Sequence, residues 1–211
     1  MITDFASSWL SLLPLVAEVP QSNGIALAAF IGIAMLIALV FSAWKISQAF
    51  SEVAMPEPPA WLKLAIPILA LLGLGVAIYL TYIEGTSALA ICGPIGDCNA
   101  VQKSPYAKVL GVIPVGLIGA LGYLAILFVW WMGRRAVGKK SFFDQLSAYS
   151  PVILWGMAVF GTIYSIYLTY LEIFVIRAVC IWCLASAVIM TLIMLAALPA
   201  CTRWLVGAEE A

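Results

Sequence analysis

IYLTYIEGTSALAIC, Ile78 to Cys92, and IYLTYLEIFVIRAVC, Ile166 to Cys180, are two versions of one segment set 88 residues apart. They agree at six of the seven positions of Ile-Tyr-Leu-Thr-Tyr-x-Glu, and each reaches a cysteine 14 residues after its first isoleucine. One period of 88 residues holds two long apolar stretches, so the repeated unit reads as a helical hairpin. Two spans per repeat keep both copies in the same orientation in a membrane, as in parallel repeats related by an axis along the normal. The expected product is an all-α integral membrane protein built on a four-helix bundle.

Composition agrees with that reading. Of 211 residues 65% are hydrophobic and 9% charged, with a mean hydropathy of +1.12, against roughly 25% charged residues in a soluble domain. A helix needs about 20 apolar residues to cross a bilayer. Five uncharged stretches qualify: Gly24 to Trp44, Leu64 to Ile83, Val109 to Gly133, Gln145 to Leu171 and Ala178 to Thr202. The last four form the bundle and the first is an additional N-terminal transmembrane helix packed outside it. Phe5 to Ala17 is too short to span and carries Pro14, so it is expected to lie in the interface. With no Lys or Arg ahead of it, it makes a poor signal peptide. The organisation read from this is an N-terminal segment with the extra helix (1–60), a four-helix core (61–200) with an exterior loop (84–113), and a cytoplasmic tail (201–211).

Cytoplasmic loops retain positive charge. Lys45, Lys63, Arg134, Arg135, Lys139, Lys140 and Arg203 fall on one side of the membrane, and only Lys103, Lys108 and Arg177 on the other. That places the N-terminus outside, the C-terminus inside, and Cys92, Cys98 and Cys180 on the extracytoplasmic face of a cell membrane, where disulfides persist. The net charge of zero is silent on partners, and no nucleic-acid partner is expected. There is no histidine, which removes the usual proton carrier at neutral pH and the commonest metal ligand; no metal site is expected.

Four of the five cysteines form two exterior pairs, Cys92 and Cys98 in CGPIGDC and Cys180 and Cys183 in CIWC. Cys-x-x-Cys at a helix start puts both sulfurs on one face, close enough to bond, where the helix N-terminus favours a thiolate. The first pair is expected in an exposed, pliable loop, able to close a small ring and to swing. Together they suit a relay in which one thiolate attacks the next disulfide. Buried structural thiols or a four-cysteine zinc site are the alternatives. Cys201, about 27 Å further along its helix at 1.5 Å per residue, cannot join and reads as structural. The repeat's tyrosines and threonines read as interfacial anchors and local hydroxyl bonds; Glu84 and Glu172 read as solvated caps at the water boundary, with proton relays as the alternative.

The Cys-x5-Cys at 92 and 98, then SPYAKVLGVIPVGLIGALGY (Ser104 to Tyr123), then CIWCLAS (Cys180 to Ser186) resemble, in this order and at these intervals, the prokaryotic vitamin K epoxide reductase family over about Trp61 to Pro199. The resemblance implies a quinone-coupled four-helix core that oxidises a thioredoxin-fold, Dsb-type partner during disulfide formation. It implies that Cys92 takes electrons from the partner's dithiol, Cys98 attacks Cys180, and Cys183 is the thiolate at the quinone, ubiquinone or menaquinone. Ser104 would help hold a short half-helix over the quinone pocket, with Pro105 and Tyr106 shaping that lid and Ser186 at the end of the third motif. Animal members that reduce the epoxide use an asparagine and a tyrosine where Val115 and Ala187 stand here, which argues against epoxide reduction. A second Cys-x-x-Cys in a soluble fold is missing, so the thiol partner is expected to be a separate protein. The rival readings are a quinone or vitamin K epoxide reductase using the same cysteines, and a non-enzymatic membrane scaffold or zinc-binding protein.

Overall fold

The computed structural model describes residues 24–49, 61–86, 88–92, 96–109, 111–134 and 147–209. The expectations for Phe5–Ala17, Gly93, Pro94, Arg135, Lys139 and Lys140 lie outside those residues. The long helices are α1 (Ile25–Ala49), α2 (Leu62–Thr86), α4 (Val115–Gly133), α5 (Ser150–Tyr170) and α6 (Ile181–Glu209). Each is long and apolar enough to cross a membrane. Between α2 and α4 lie a short helix α3 (Cys98–Lys103), a 3-10 turn (Pro105–Ala107) and a two-stranded hairpin, β1 (Lys108–Val109) with β2 (Ile113–Pro114), in antiparallel register.

Four helices close a ring in the order α2, α4, α5, α6, each touching the next and α6 returning to α2. This is the bundle expected from the repeat. Small residues at the contacts, Ala70, Ala77, Ala120, Ala158 and Ala197, are all buried and let the backbones approach. Tyr123 fills the centre, fully buried, against the face of Gly73, where any Cβ would run into its ring. Its hydroxyl donates to the Ser186 carbonyl at 3.1 Å and pairs with the Ser186 hydroxyl at 2.9 Å, tying α4 to α6.

The additional helix α1 packs on α5 and α6, outside the ring. Its buried residues, Ala28, Met35, Ser42 and Ala49, recur every seven positions, the repeat that keeps one seam against a neighbour along a gently supercoiled path. Ser42 accepts a hydrogen bond from Trp155 Nε1 at 2.9 Å, which fixes α1 against α5. The remaining faces carry exposed residues such as Phe30, Ile37, Val40 and Phe160, as a surface solvated by lipid requires.

Several helix ends differ from the expected ones. The third span begins at Val115 rather than Val109, because residues 108–114 form the hairpin that ends at Pro114. The fourth continues past Leu171 as a π-helical turn, Leu171–Ile176, stopped by Arg177 in the left-handed region (φ 57°). The last runs on to Glu209, so most of the segment read as a tail is helical. Wide π turns of this kind concentrate at functional sites.

Candidate functional site

The stretch between α2 and α4 was expected to be a loose exposed loop. The structure corrects this: Cys98 is fully buried, in a cluster with Leu80, Ile83, Ala90, Val101 and Cys180. The reason is α3. Asp97 caps it, its Oδ1 accepting from Ala100 N at 3.0 Å, and Cys98 and Val101 then share the face turned to the bundle. Cys98 is disulfide-bonded to the half-buried Cys92 with Cα atoms 6.0 Å apart.

The segment leading into Cys92 is clamped on both sides. Asn99 accepts from Ala90 N (2.8 Å) and donates to Ala90 O (3.4 Å). Ile91 N donates to the Tyr79 hydroxyl at 2.9 Å, and Ile91 O accepts from Trp182 Nε1 at 3.0 Å. The Tyr79 and Trp182 rings pack against each other at a tilt of 53°, with centroids 4.9 Å apart. Tyr79 therefore does more than anchor an interface; Tyr82, Tyr167 and Tyr170 are the exposed ones.

The second pair sits where α6 begins. Cys180 precedes the helix and is fully buried; its Sγ accepts from Cys183 N at 3.4 Å, in the manner of an N-cap oxygen. The Cys180 thiol is held below the ordinary thiol range, first by a hydrogen bond with the Cys183 side chain, against the opposing effect of burial. The backbone N–H groups of Cys183 and Trp182 and the Gln102 side chain act in the same lowering direction. The two pairs are drawn together by one backbone bond, Asp97 N to Val179 O at 3.0 Å, between the residues that precede Cys98 and Cys180. Gly96 makes that approach possible. Its φ is +82°, and a Cβ there would collide with the Val179 carbonyl, so only glycine fits.

Below the cysteines lies a largely apolar cavity of about 450 Å³ walled by α2, α4, α5 and α6. All five residues named for the quinone pocket line it: Ser104 and Tyr106 from the segment across its top, Val115, Ser186 and Ala187. Of the four paired cysteines only Cys183 borders it. Two polar atoms there, Gln102 Oε1 and Ser104 Oγ, are buried without a partner. An apolar slot with a thiol at one end and an unpaired hydroxyl donor above it fits a quinone ring and its carbonyl oxygens.

Glu172 is also corrected: α5 continues past it through the π turn, so it is buried on the cavity wall and is no solvated cap. Glu84, two residues before α2 ends at Thr86, lines the same cavity and stays partly exposed. Glu84 Oε2 accepts from Gly116 N at 3.2 Å. Glu172, 3% exposed, accepts from Cys180 N at 3.4 Å and faces the Cys183 thiol as a side-chain hydrogen-bond partner. A signal for them was present, since each glutamate precedes its copy's cysteine by eight residues. Gln102, Tyr79 and Trp182 had no comparable signal. Cys201 is buried far down α6, and among the described residues no cluster of three or more His, Cys, Asp or Glu side chains could hold a metal.

Residues 64–198 match the model of the Vitamin K epoxide reductase family, nearly two thirds of the chain and the whole of the four-helix ring up to Leu198. The chain belongs to the vitamin K epoxide reductase family. It is thus an integral membrane oxidoreductase of the family that couples thiol–disulfide exchange to quinones. The match spans both cysteine pairs and every cavity residue named above, and leaves α1 outside the part characteristic of vitamin K epoxide reductases.

Proposed function

We propose that this protein generates disulfides outside the cytoplasm by oxidising a separate thioredoxin-fold, Dsb-type partner and passing two electrons to ubiquinone or menaquinone. The observation that carries the reading is the order of accessibility. Cys92 is half-buried at the aqueous end, Cys98 and Cys180 are buried together, and Cys183 alone reaches the cavity. A partner thiolate attacks Cys92, releasing Cys98; Cys98 attacks Cys180 of an oxidised second pair, releasing Cys183; the partner's second thiol then expels Cys92, and Cys92 attacks Cys98, re-forming the first disulfide and releasing Cys180. The clamp on Ala90 and Ile91 presents Cys92, and the helix start stabilises the Cys180 thiolate as it leaves.

Ser104, Tyr106, Ser186 and the walls at Val115 and Ala187 would hold the quinone, which when bound accepts two electrons and two protons. The apolar side chains of Val115 and Ala187 supply no hydrogen-bond group for an epoxide oxygen, which favours oxidase chemistry over epoxide reduction. The distribution of Lys and Arg supports an N-terminus outside, a C-terminus inside and cysteines on the extracytoplasmic face.

Mass-tag alkylation of thiols in intact cells, with quinone turnover running and blocked, tests this. The exterior cysteines are expected to become more reduced when turnover is blocked. A thiol state indifferent to quinone supply overturns the proposal.

A further inference from the structure

Oxidising a dithiol to a disulfide removes protons as well as electrons, and this site is badly equipped to move them. The chain has no histidine. Cys183 opens on a largely apolar cavity, and Cys180 is shut off from solvent altogether. Against this thiol stands one carboxyl, Glu172, 3% exposed, with only the Cys180 N–H and the Cys183 thiol as partners. A carboxyl at that depth is costly unless it is neutral or well partnered. Among the described residues no cation offsets it: the charged neighbours on adjoining elements, Arg177 after the π turn and Lys103 on α3, are both exposed, and α1 has no charged residue between Gly24 and Trp44. The other titratable groups on the cavity wall are Glu84, Tyr106, Tyr123 and Tyr164.

We infer that Glu172 is the proton carrier of the second cysteine pair, moving one proton from Cys183 Sγ into the cavity each time Cys180 and Cys183 are oxidised. This rests on the quinone-linked reading above. The reduced pair holds Cys180 as thiolate and Cys183 as thiol. Oxidation breaks the Cys183 S–H bond, forms the Cys180–Cys183 S–S bond and sends one electron pair to the quinone. The Glu172 O–H proton goes to a quinone oxygen and the Cys183 proton replaces it. The second proton matches one that the partner's dithiol released to water on being oxidised. It returns past Glu84, the partly exposed carboxyl of the same cavity. The pairing of a carboxyl with each copy of the repeat thus supplies one buried and one water-facing acid to a reaction that consumes two protons.

Difference infrared spectroscopy on purified protein freed of quinone, oxidised and reduced chemically, reads the carboxyl directly. A protonated-carboxyl C=O band is expected to shift between the two states of the 180–183 pair and to vanish in Glu172→Gln, which keeps the acceptor for Cys180 N but carries no acidic proton. In quinone-loaded protein Glu172→Gln is expected to slow oxidation of the pair about 10²–10⁴-fold, with Glu172→Asp restoring both band and part of the rate. A redox-sensitive band that survives in Glu172→Gln, or a rate within threefold of wild type, overturns the inference. Should Glu172→Gln not fold, Glu172→Asp decides, because a carboxyl moved back by one methylene must shift the band and slow the step if it carries the proton. Wild-type cysteines that ignore quinone altogether would instead sink the oxidase reading, while the infrared result judges Glu172 independently.

Discussion

The two copies of Ile-Tyr-Leu-Thr-Tyr-x-Glu fold alike and are used differently. In both, the threonine hydroxyl bonds back one turn, Thr81 to Ala77 O and Thr169 to Ser165 O. In both, the glutamate accepts a backbone N–H at the start of the next long helix, Gly116 for Glu84 and Cys180 for Glu172. The divergence lies in what comes between. The first copy reaches its next helix through residues 87–114, whose described part includes α3 and the two short strands; the second does so through residues 177–180 alone. A long connection lets the first copy hold a disulfide with Cys92 half-buried, while a short one pins the second copy's cysteine to a helix start beside its own glutamate. The repeat sets the helix ends, and the length of the connection sets the chemistry.

The largest effect is expected from removing Cys98, the sulfur proposed to join the copies. Cys98→Ala should lower partner oxidation by about 10³-fold or more and abolish transfer to Cys180; with the partner supplied in its disulfide form, the Cys92 thiolate should attack it and leave a stabilised mixed disulfide, visible on non-reducing gels. An unaltered rate would mean that the second pair is reached without Cys98. Next comes the backbone contact between them. Gly96→Ala forces a side chain into the Val179 carbonyl at a positive φ, a strain of about 1–3 kcal/mol. Transfer between the pairs should slow by 10- to 100-fold, at about 1.4 kcal/mol per factor of ten, while Cys180 and Cys183 still react with quinone; rapid-quench alkylation separates the two steps.

A smaller effect concerns the second copy alone. Because the Cys180 thiol sits below the ordinary thiol value of 9.0, its thiolate should already be present at lower pH than in an exposed cysteine. In a Cys92→Ser, Cys98→Ser, Cys201→Ala background, ultraviolet thiolate absorbance should rise as pH climbs through that lowered value. Cys183→Ala removes the largest lowering contribution and should move the rise to higher pH; a shift to lower pH would contradict the assigned cause. The smallest effect sharpens the contrast between equal sequence positions. Tyr79→Phe loses the bond to Ile91 N, roughly 1 kcal/mol, and should slow partner exchange several-fold, whereas Tyr167→Phe, on an exposed ring, should leave it unchanged.

The five spans were legible because a run of about 20 apolar residues leaves the backbone few options in lipid. Their ends were less so: charge and hydropathy stop near Leu171 and Thr202, but the backbone goes on hydrogen-bonding as a π turn and as helix to Glu209. The four cysteines could be read as two pairs from spacing, and the five residues taken from the family motif all reach one cavity. What could not be read was burial in a loop. Six residues of α3 are too few for a periodic signal, so Cys98 looked exposed. Glutamate at a helix end usually meets water, as Glu84 still partly does, and only the added π turn carries Glu172 inward. Tyr79 and Trp182 find backbone partners brought by the fold, which no local pattern encodes.

Among the four paired cysteines Cys183 alone stands on the cavity wall, and in the proposed relay that placement would act as electrical insulation. Cys180 would be bonded to one sulfur at a time, either Cys98 behind it or Cys183 ahead. While it was connected to the partner's side, the contact on the cavity side would be open, and closing that contact would disconnect the partner. Reducing equivalents would then cross in discrete pairs, with no continuous path between the cavity and the partner's thiols.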